Sequence, residues 1–200
     1  MGREIHHPLP MRAMRAGSVC RPRTRQPARP VRVDSPAIEA MTDMRSVALA
    51  TASRTASLHE ADRVMRAWGV RLLLVVSADF VIEGLITARD TTGERPVTLL
   101  RERGGKYADL TVDDLMIPRA AIEVLDVETV RHSEVGHIVA TLKDVGRQHA
   151  LVVERDAQSA GDVVCGVFSV TQIGRQLGVN IPIFDVAHTF AQIAAHLARQ

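Results

Sequence analysis

The sequence predicts an α/β (α+β) fold built from two tandem copies of one strand–helix–strand–strand–helix unit. Three observations carry this. An apolar helical face recurs 77 residues along the chain, each copy follows it with a short apolar run, and each closes on a shared strand-to-helix signature.

In the first copy Leu58, Ala61, Met65 and Trp68 fall three, four and three apart, which places them on one face of a helix. Gly69 follows, as a glycine that ends a helix in the left-handed region would. Leu72-Leu73-Leu74-Val75-Val76 then reads as a buried strand. The second copy repeats the order: Val135, Ile138, Leu142 and Val145, then Gly146, then Ala150-Leu151-Val152-Val153. A polar turn leads each copy into another strand. The first turn is Ser77-Ala78-Asp79, before a strand over residues 80–86. The second is the longer stretch 154–162, before a strand over 163–168. Beyond the turn the offset between copies rises from 77 to 82, counted between Gly84 and Gly166, so the second hairpin connection is five residues longer, as surface connections tolerate. Helices are expected to begin at Thr87 and Ser169. Neither copy can bury both faces of so small a sheet, so the two are expected to pack on each other as a pseudo-twofold pair.

Composition bounds the function. The chain has 200 residues, 46% hydrophobic and 24% charged, enough to fill a core of ordinary size. Only 3% is aromatic, too few stacking platforms for a single-strand nucleic-acid binder. Residues 1–36 carry Arg3, Arg12, Arg15, Arg21, Arg23, Arg25, Arg29 and Arg32 against Glu4 and Asp34. The whole chain nets only +2, so the remainder is acidic. Cys20 and Cys165 stand alone with no CxxC spacing, which indicates neither a zinc knuckle nor a disulfide framework. No apolar run approaches the ~18 residues of a membrane span. The expectation is a soluble cytoplasmic protein without a metal.

Residues 1–36 also hold Pro8, Pro10, Pro22, Pro27, Pro30 and Pro36 and show no apolar period, so they are read as a disordered basic tail. It is open to three explanations: a solvated tail or early start with Met41 or Met44 as the true start, an arm for nucleic acid or an acidic partner, and a targeting segment. The prolines disfavour the last. The first copy with its connector spans 37–110 and the second 111–178. Ile183, Val186, Phe190, Ile193 and Leu197 then form a narrow stripe that predicts an amphipathic helix over 179–200.

The repeated signature is Gly84-Leu85-Ile86-Thr87-Ala88-Arg89-Asp90 in the first copy and Gly166-Val167-Phe168-Ser169-Val170-Thr171-Gln172 in the second. A lead-in precedes each copy, Ala37-Ile38-Glu39-Ala40-Met41-Thr42 and Val112-Asp113-Asp114-Leu115-Met116-Ile117-Pro118. Together with the helix, glycine and apolar strand, these motifs resemble the cystathionine-β-synthase (CBS) domain. Two in tandem resemble the CBS pair called a Bateman module, over residues 37–178.

The resemblance implies a regulatory module, not an enzyme, that binds an adenosine-containing ligand in a cleft between the copies. AMP, ADP or ATP lead, with S-adenosylmethionine or NAD as further candidates. Thr87 stands where a strand becomes a helix, so its hydroxyl and the free N–H groups can meet phosphate. Asp90 lies one helical turn on and can accept from both ribose hydroxyls, and Arg89 adds charge. Gly84, Leu72, His149 and Ser169 complete the implied site, with adenine near Val70-Arg71-Leu72 and Arg147-Gln148-His149. The same residues support a plainer reading. Thr87-x-x-Asp90 is close to a helix capping box, and Ser169-x-x-Gln172 matches one. Gln172 departs from the family's acid and cannot offer a diol two acceptor oxygens, so one nucleotide site is expected. His132 and His137, five apart, do not share a helical face for a metal. Asp113 and Asp114 are expected to cap the helix after them. No nucleophile–base pairing, phosphate loop or HExxH occurs. The resemblance also implies a homodimer and an unidentified protein partner, with a ligand-free interaction scaffold as the alternative. Nucleic-acid association through the tail ranks third.

Overall fold

The computed structural model describes residues 29–155 and 161–179; the basic tail to 28, the middle of the second turn and the C-terminal stripe lie outside the described residues. The strands are β1 Thr42–Asp43, β2 Thr51–Ala52, β3 Leu72–Val76, β4 Ile82–Thr87, β5 Ile117–Pro118, β6 Val124–Asp126, β7 His149–Arg155 and β8 Asp162–Ser169. The helices are α1 Leu58–Trp68, α2 Ala88–Thr92, α3 Glu94–Arg103, α4 Val112–Leu115, α5 Val127–Arg131, α6 Val135–Asp144 and α7 Val170–Gln176. Each copy runs strand, helix, strand, strand, helix, as its pattern predicts.

The local signals act as elementary sterics require. Ser57 caps α1 by accepting from the Glu60 N–H at 3.1 Å, and Gly69 ends it at φ 63°. Gly146 follows α6 at φ 62°. Leu58, Ala61 and Met65 are buried in the first copy, as are Val135, Ile138 and Leu142 in the second. The fourth position of each face differs from expectation. Trp68 and Val145 are 47% and 45% exposed, because each stands beside the glycine where the chain turns away from the core. Phe80 and Val81, expected in a strand, precede β4. Phe80 takes φ 58° in the hairpin turn, where the Ser77 carbonyl accepts its N–H.

Two four-stranded sheets result, ordered β2-β3-β4-β5 and β1-β8-β7-β6. Side chains alternate across a strand. Leu73, Val75 and Ile86 therefore enter the first copy's helix-side core, while Leu74 and Leu85 face the opposite way. There they meet Leu151 of the second copy, with Leu72, Ile82, Val164 and Val167 around them. Both faces are covered, which is why the runs in the sequence are apolar without alternation.

The lead-ins cross. The segment before the first copy supplies β1 to the second sheet, pairing Thr42 with Val167 and Asp43 with Gly166. The segment before the second copy supplies β5 to the first sheet, pairing Gly84 with Pro118 and Leu85 with Ile117. Val112 and Leu115 fill the first core, and Ala37 and Ala40 the second. Residues 29–36, expected to belong to the disordered tail, pack instead. Val31 is 7% exposed and its N–H donates to the Gln176 carbonyl at 3.0 Å. Proline did not exclude this stretch, because it forms an irregular segment with a turn and not a helix, its Val33 and Ser35 carbonyls accepting from the N–H groups of Gly136 and Val135.

Candidate functional site

The hairpin register brings the start of β3 beside the start of α2. Leu72 pairs with Thr87, and the Ala88 N–H donates to the Arg71 carbonyl at 3.0 Å. The second copy repeats this: His149 pairs with Ser169, and the Val170 N–H donates to the Gln148 carbonyl at 3.0 Å. Sheet-to-sheet packing then joins these two sheet ends, since Arg71 Nη2 donates to Gln148 Oε1 across the copies at 3.3 Å.

This seam holds unmade hydrogen bonds. Among the described residues three buried side-chain polar atoms lack a partner, and two of them, Arg71 Nη1 and His149 Nδ1, are here. Burial, and then Arg175, push the Arg71 guanidinium down from its ordinary value. Burial, and then the Arg71 charge, push His149 down to about 4, so its ring is neutral at pH 7. A buried donor without an acceptor costs free energy. Arg71 Nη1 is such a donor, and His149 Nδ1 is a second one in the tautomer that carries its proton there.

The structure brings Thr87 and Asp90 together, but onto each other. Asp90 is 7% exposed. Its Oδ2 accepts from the Thr87 N–H at 2.9 Å and the Thr87 hydroxyl at 2.6 Å, and its Oδ1 pairs with Arg95 Nη1 at 2.5 Å. The same construction recurs where α4 begins. There Asp114 Oδ2 accepts from the Thr111 N–H and hydroxyl, both at 2.9 Å, and Oδ1 pairs with Arg103 at 3.0 Å. Asp114 thus caps α4, the helix it lies in and not one after it, while Asp113 pairs with Arg54 at 2.7 Å. The recurrence is of Thr-x-x-Asp alone, with an arginine from a different place in the chain on the second carboxylate oxygen each time, and this arrangement is that of a helix cap.

The other residues implied by the signature separate. Leu72 joins the apolar cluster between the sheets. Arg89 is exposed on α2. Gly84 is occupied from within, since a Cβ there would lie 2.6 Å from the Ile117 carbonyl oxygen. Ser169 precedes α7 in extended conformation, but its side chain makes no capping hydrogen bond, so the box expected with Gln172 does not form. Arg147 turns outward to Glu123 at 3.1 Å. His132 Nδ1 lies 2.8 Å from the Glu128 carbonyl oxygen, and the Glu134 N–H donates to His137 Nδ1 at 3.1 Å, so both rings serve local turns. No group of three metal-binding side chains occurs among the described residues.

Sequence reasoning missed two partners, Arg95 for Asp90 and Gln148 for Arg71. The second left a signal. Residues 71 and 148 are 77 apart, hence equivalent in the two copies, and equivalent residues near a twofold axis meet each other.

No protein-family model matches the chain, and no curated protein does. Solved structures do. An uncharacterized conserved protein from Pyrococcus horikoshii is similar at 19% identity and TM-score 0.54, covering 76% of this chain and 98% of its own. CBSX2 in complex with AMP, a CBS-pair protein of Arabidopsis thaliana, is similar at 16% identity and TM-score 0.50, covering 70% and 94%. At these identities the likeness is one of fold.

Proposed function

The chain has the fold of a tandem CBS-domain pair, and on that premise we propose a regulatory module that binds an adenosine-containing nucleotide at the seam between its copies. The observation that carries this reading is the pair of unpartnered buried nitrogens, Arg71 Nη1 and His149 Nδ1, one from each copy. A phosphate placed there draws the copies onto one ligand. Ribose then engages Asp90, whose Oδ1 passes from Arg95 to a sugar hydroxyl while Oδ2 stays with Thr87. Binding so arranged releases Arg95 and favours one packing of the copies, which is what coupling requires. Gln172 stands at the equivalent place in the second copy, so affinity concentrates on the Asp90 side. The output passes to a partner protein or through self-association as a homodimer, read by light scattering with and without ligand. No helix among the described residues is long and apolar enough to cross a membrane.

Thermal shift with AMP, ATP, S-adenosylmethionine and NAD tests the reading. AMP or ATP raises the melting temperature, Arg71→Gln abolishes the rise, and Gln172→Ala leaves it. The satisfied capping geometry at Asp90 supports a second reading, a ligand-free interaction scaffold. On that reading saturating nucleotide leaves melting unchanged in every variant.

A further inference from the structure

A second opening lies in the first copy, away from the seam. It is an open groove of about 290 Å³ between β2, the connection after it, and the first turns of α1. Ala52, Ala56, Ala61 and Val64 line it together with Thr51, Ser53, Thr55 and Glu60, of which Ser53, Thr55 and Glu60 are exposed.

The internal repeat shows why this space is open. Ala52 pairs with Val75, and Leu125 pairs with Val152, so Ala52 and Leu125 are equivalent. From there to the helix start the second copy is four residues longer, and the extra length forms α5. Its Val127 and Val130 are 5% and 1% exposed in the second core. Leu125 and Ile138 stand where the first copy has Ala52 and Ala61. The first copy thus lacks a one-turn helix bearing two valines and carries alanines for two larger side chains. Glu60 is exposed and has no ion-pair partner among the described residues, whereas the nearby Arg54 is held by Asp113 at 2.7 Å.

We infer that this groove is a binding site for a short branched aliphatic amine. The branched body lies against Ala52, Ala56, Ala61 and Val64, where the second copy carries larger side chains at two positions, and the ammonium meets the Glu60 carboxylate beside Thr51 and the hydrogen-bonded Ser53–Thr55 hydroxyl pair. No cation lines the groove, which separates it in chemistry from the phosphate-seeking seam.

The test uses the full chain, 3-methylbutylamine as probe, and NMR of the alanine methyl groups. Saturable shifts are expected at Ala52, Ala56 and Ala61. Glu60→Gln weakens the amine by about fivefold, the worth of one exposed ion pair. It leaves binding of 3-methylbutan-1-ol, the same body without the charge, unchanged. Ala61→Ile, which installs the second copy's residue, removes the shifts. Ala52→Leu does the same from the other wall if the isoleucine variant does not fold. Absence of a saturable shift at the three alanines, or an amine affinity indifferent to Glu60→Gln, overturns the site. The AMP melting shift is read in the same variants and is expected to be unchanged, so failure at the groove and failure at the seam are told apart.

Discussion

His149 offers a measurement in which one side chain sets the pH dependence of folding. Burial and the neighbouring Arg71 charge hold it at about 4 in the folded protein, against 6.5 for the free side chain. Between these values the unfolded chain binds a proton that the folded chain refuses. Stability therefore rises with pH across the window and is lost as pH falls from 6.5 towards 4. The gap corresponds to about 3 kcal/mol at 1.36 kcal/mol per pH unit. The substitution to make is His149→Leu, because leucine stands at the equivalent position 72 and cannot titrate. Chemical denaturation followed by circular dichroism at pH 7, 6, 5 and 4.5 should show wild type losing stability steadily while the variant stays nearly level. At pH 7 the variant should be no less stable, since the unpartnered Nδ1 goes with the ring. Carboxylates do not blur the comparison. Asp43, held below its ordinary value by hydrogen bonds from Arg45, and Asp114, held down by Thr111, contribute above that value and lose the contribution at more acidic pH, in both proteins alike. Parallel curves for the two proteins would refute the enclosure of His149.

Other substitutions test the remaining contacts. Asp90→Ala should lower apo stability by about 1–2 kcal/mol in denaturation, the worth of a capping interaction, whatever its effect on nucleotide; an unchanged midpoint would show that Thr87 and Arg95 do not depend on it. Gly84→Ala should cost about 1–3 kcal/mol, as overpacking does, because its Cβ meets the Ile117 carbonyl in the backbone. Gly166→Ala should cost less, since the Met41 side chain it meets can move aside. A chain beginning at Met44 removes Val31, Ala37 and Ala40 from the second core. It should lose at least about 3 kcal/mol relative to one beginning at Arg29, by burial lost, and equal melting would refute the packing of residues 29–43.

Much of the fold was legible residue by residue. A three-and-four spacing marks a helical face, glycine alone enters the left-handed turn without penalty, and an apolar run of five marks a strand covered on both faces. These are steric rules over a few neighbouring residues, so Leu58, Gly69 and Leu74 declared their roles locally. Even the groove on α1 was written in the alanines at 52 and 61, although only a comparison of the copies in space turns small residues into a volume.

The site was legible as a set of residues but not as a set of bonds. Thr87-x-x-Asp90 reads equally as a ribose grip or a helix cap, because both use the same hydroxyl and carboxylate. Arg95, five residues beyond Asp90 and on the next helix, occupies the second carboxylate oxygen. Gly84 looked like part of a ligand loop until the crossing lead-in placed Ile117 against it. Sequence by itself determined the repeat, its strand–helix–strand–strand–helix order and three of the four positions on each helical face, since these follow from backbone sterics and short periods. The exchange of lead-ins, the meeting of Arg71 with Gln148 and the enclosure of His149 belong to the tertiary structure alone, because each depends on contacts between residues far apart in the chain.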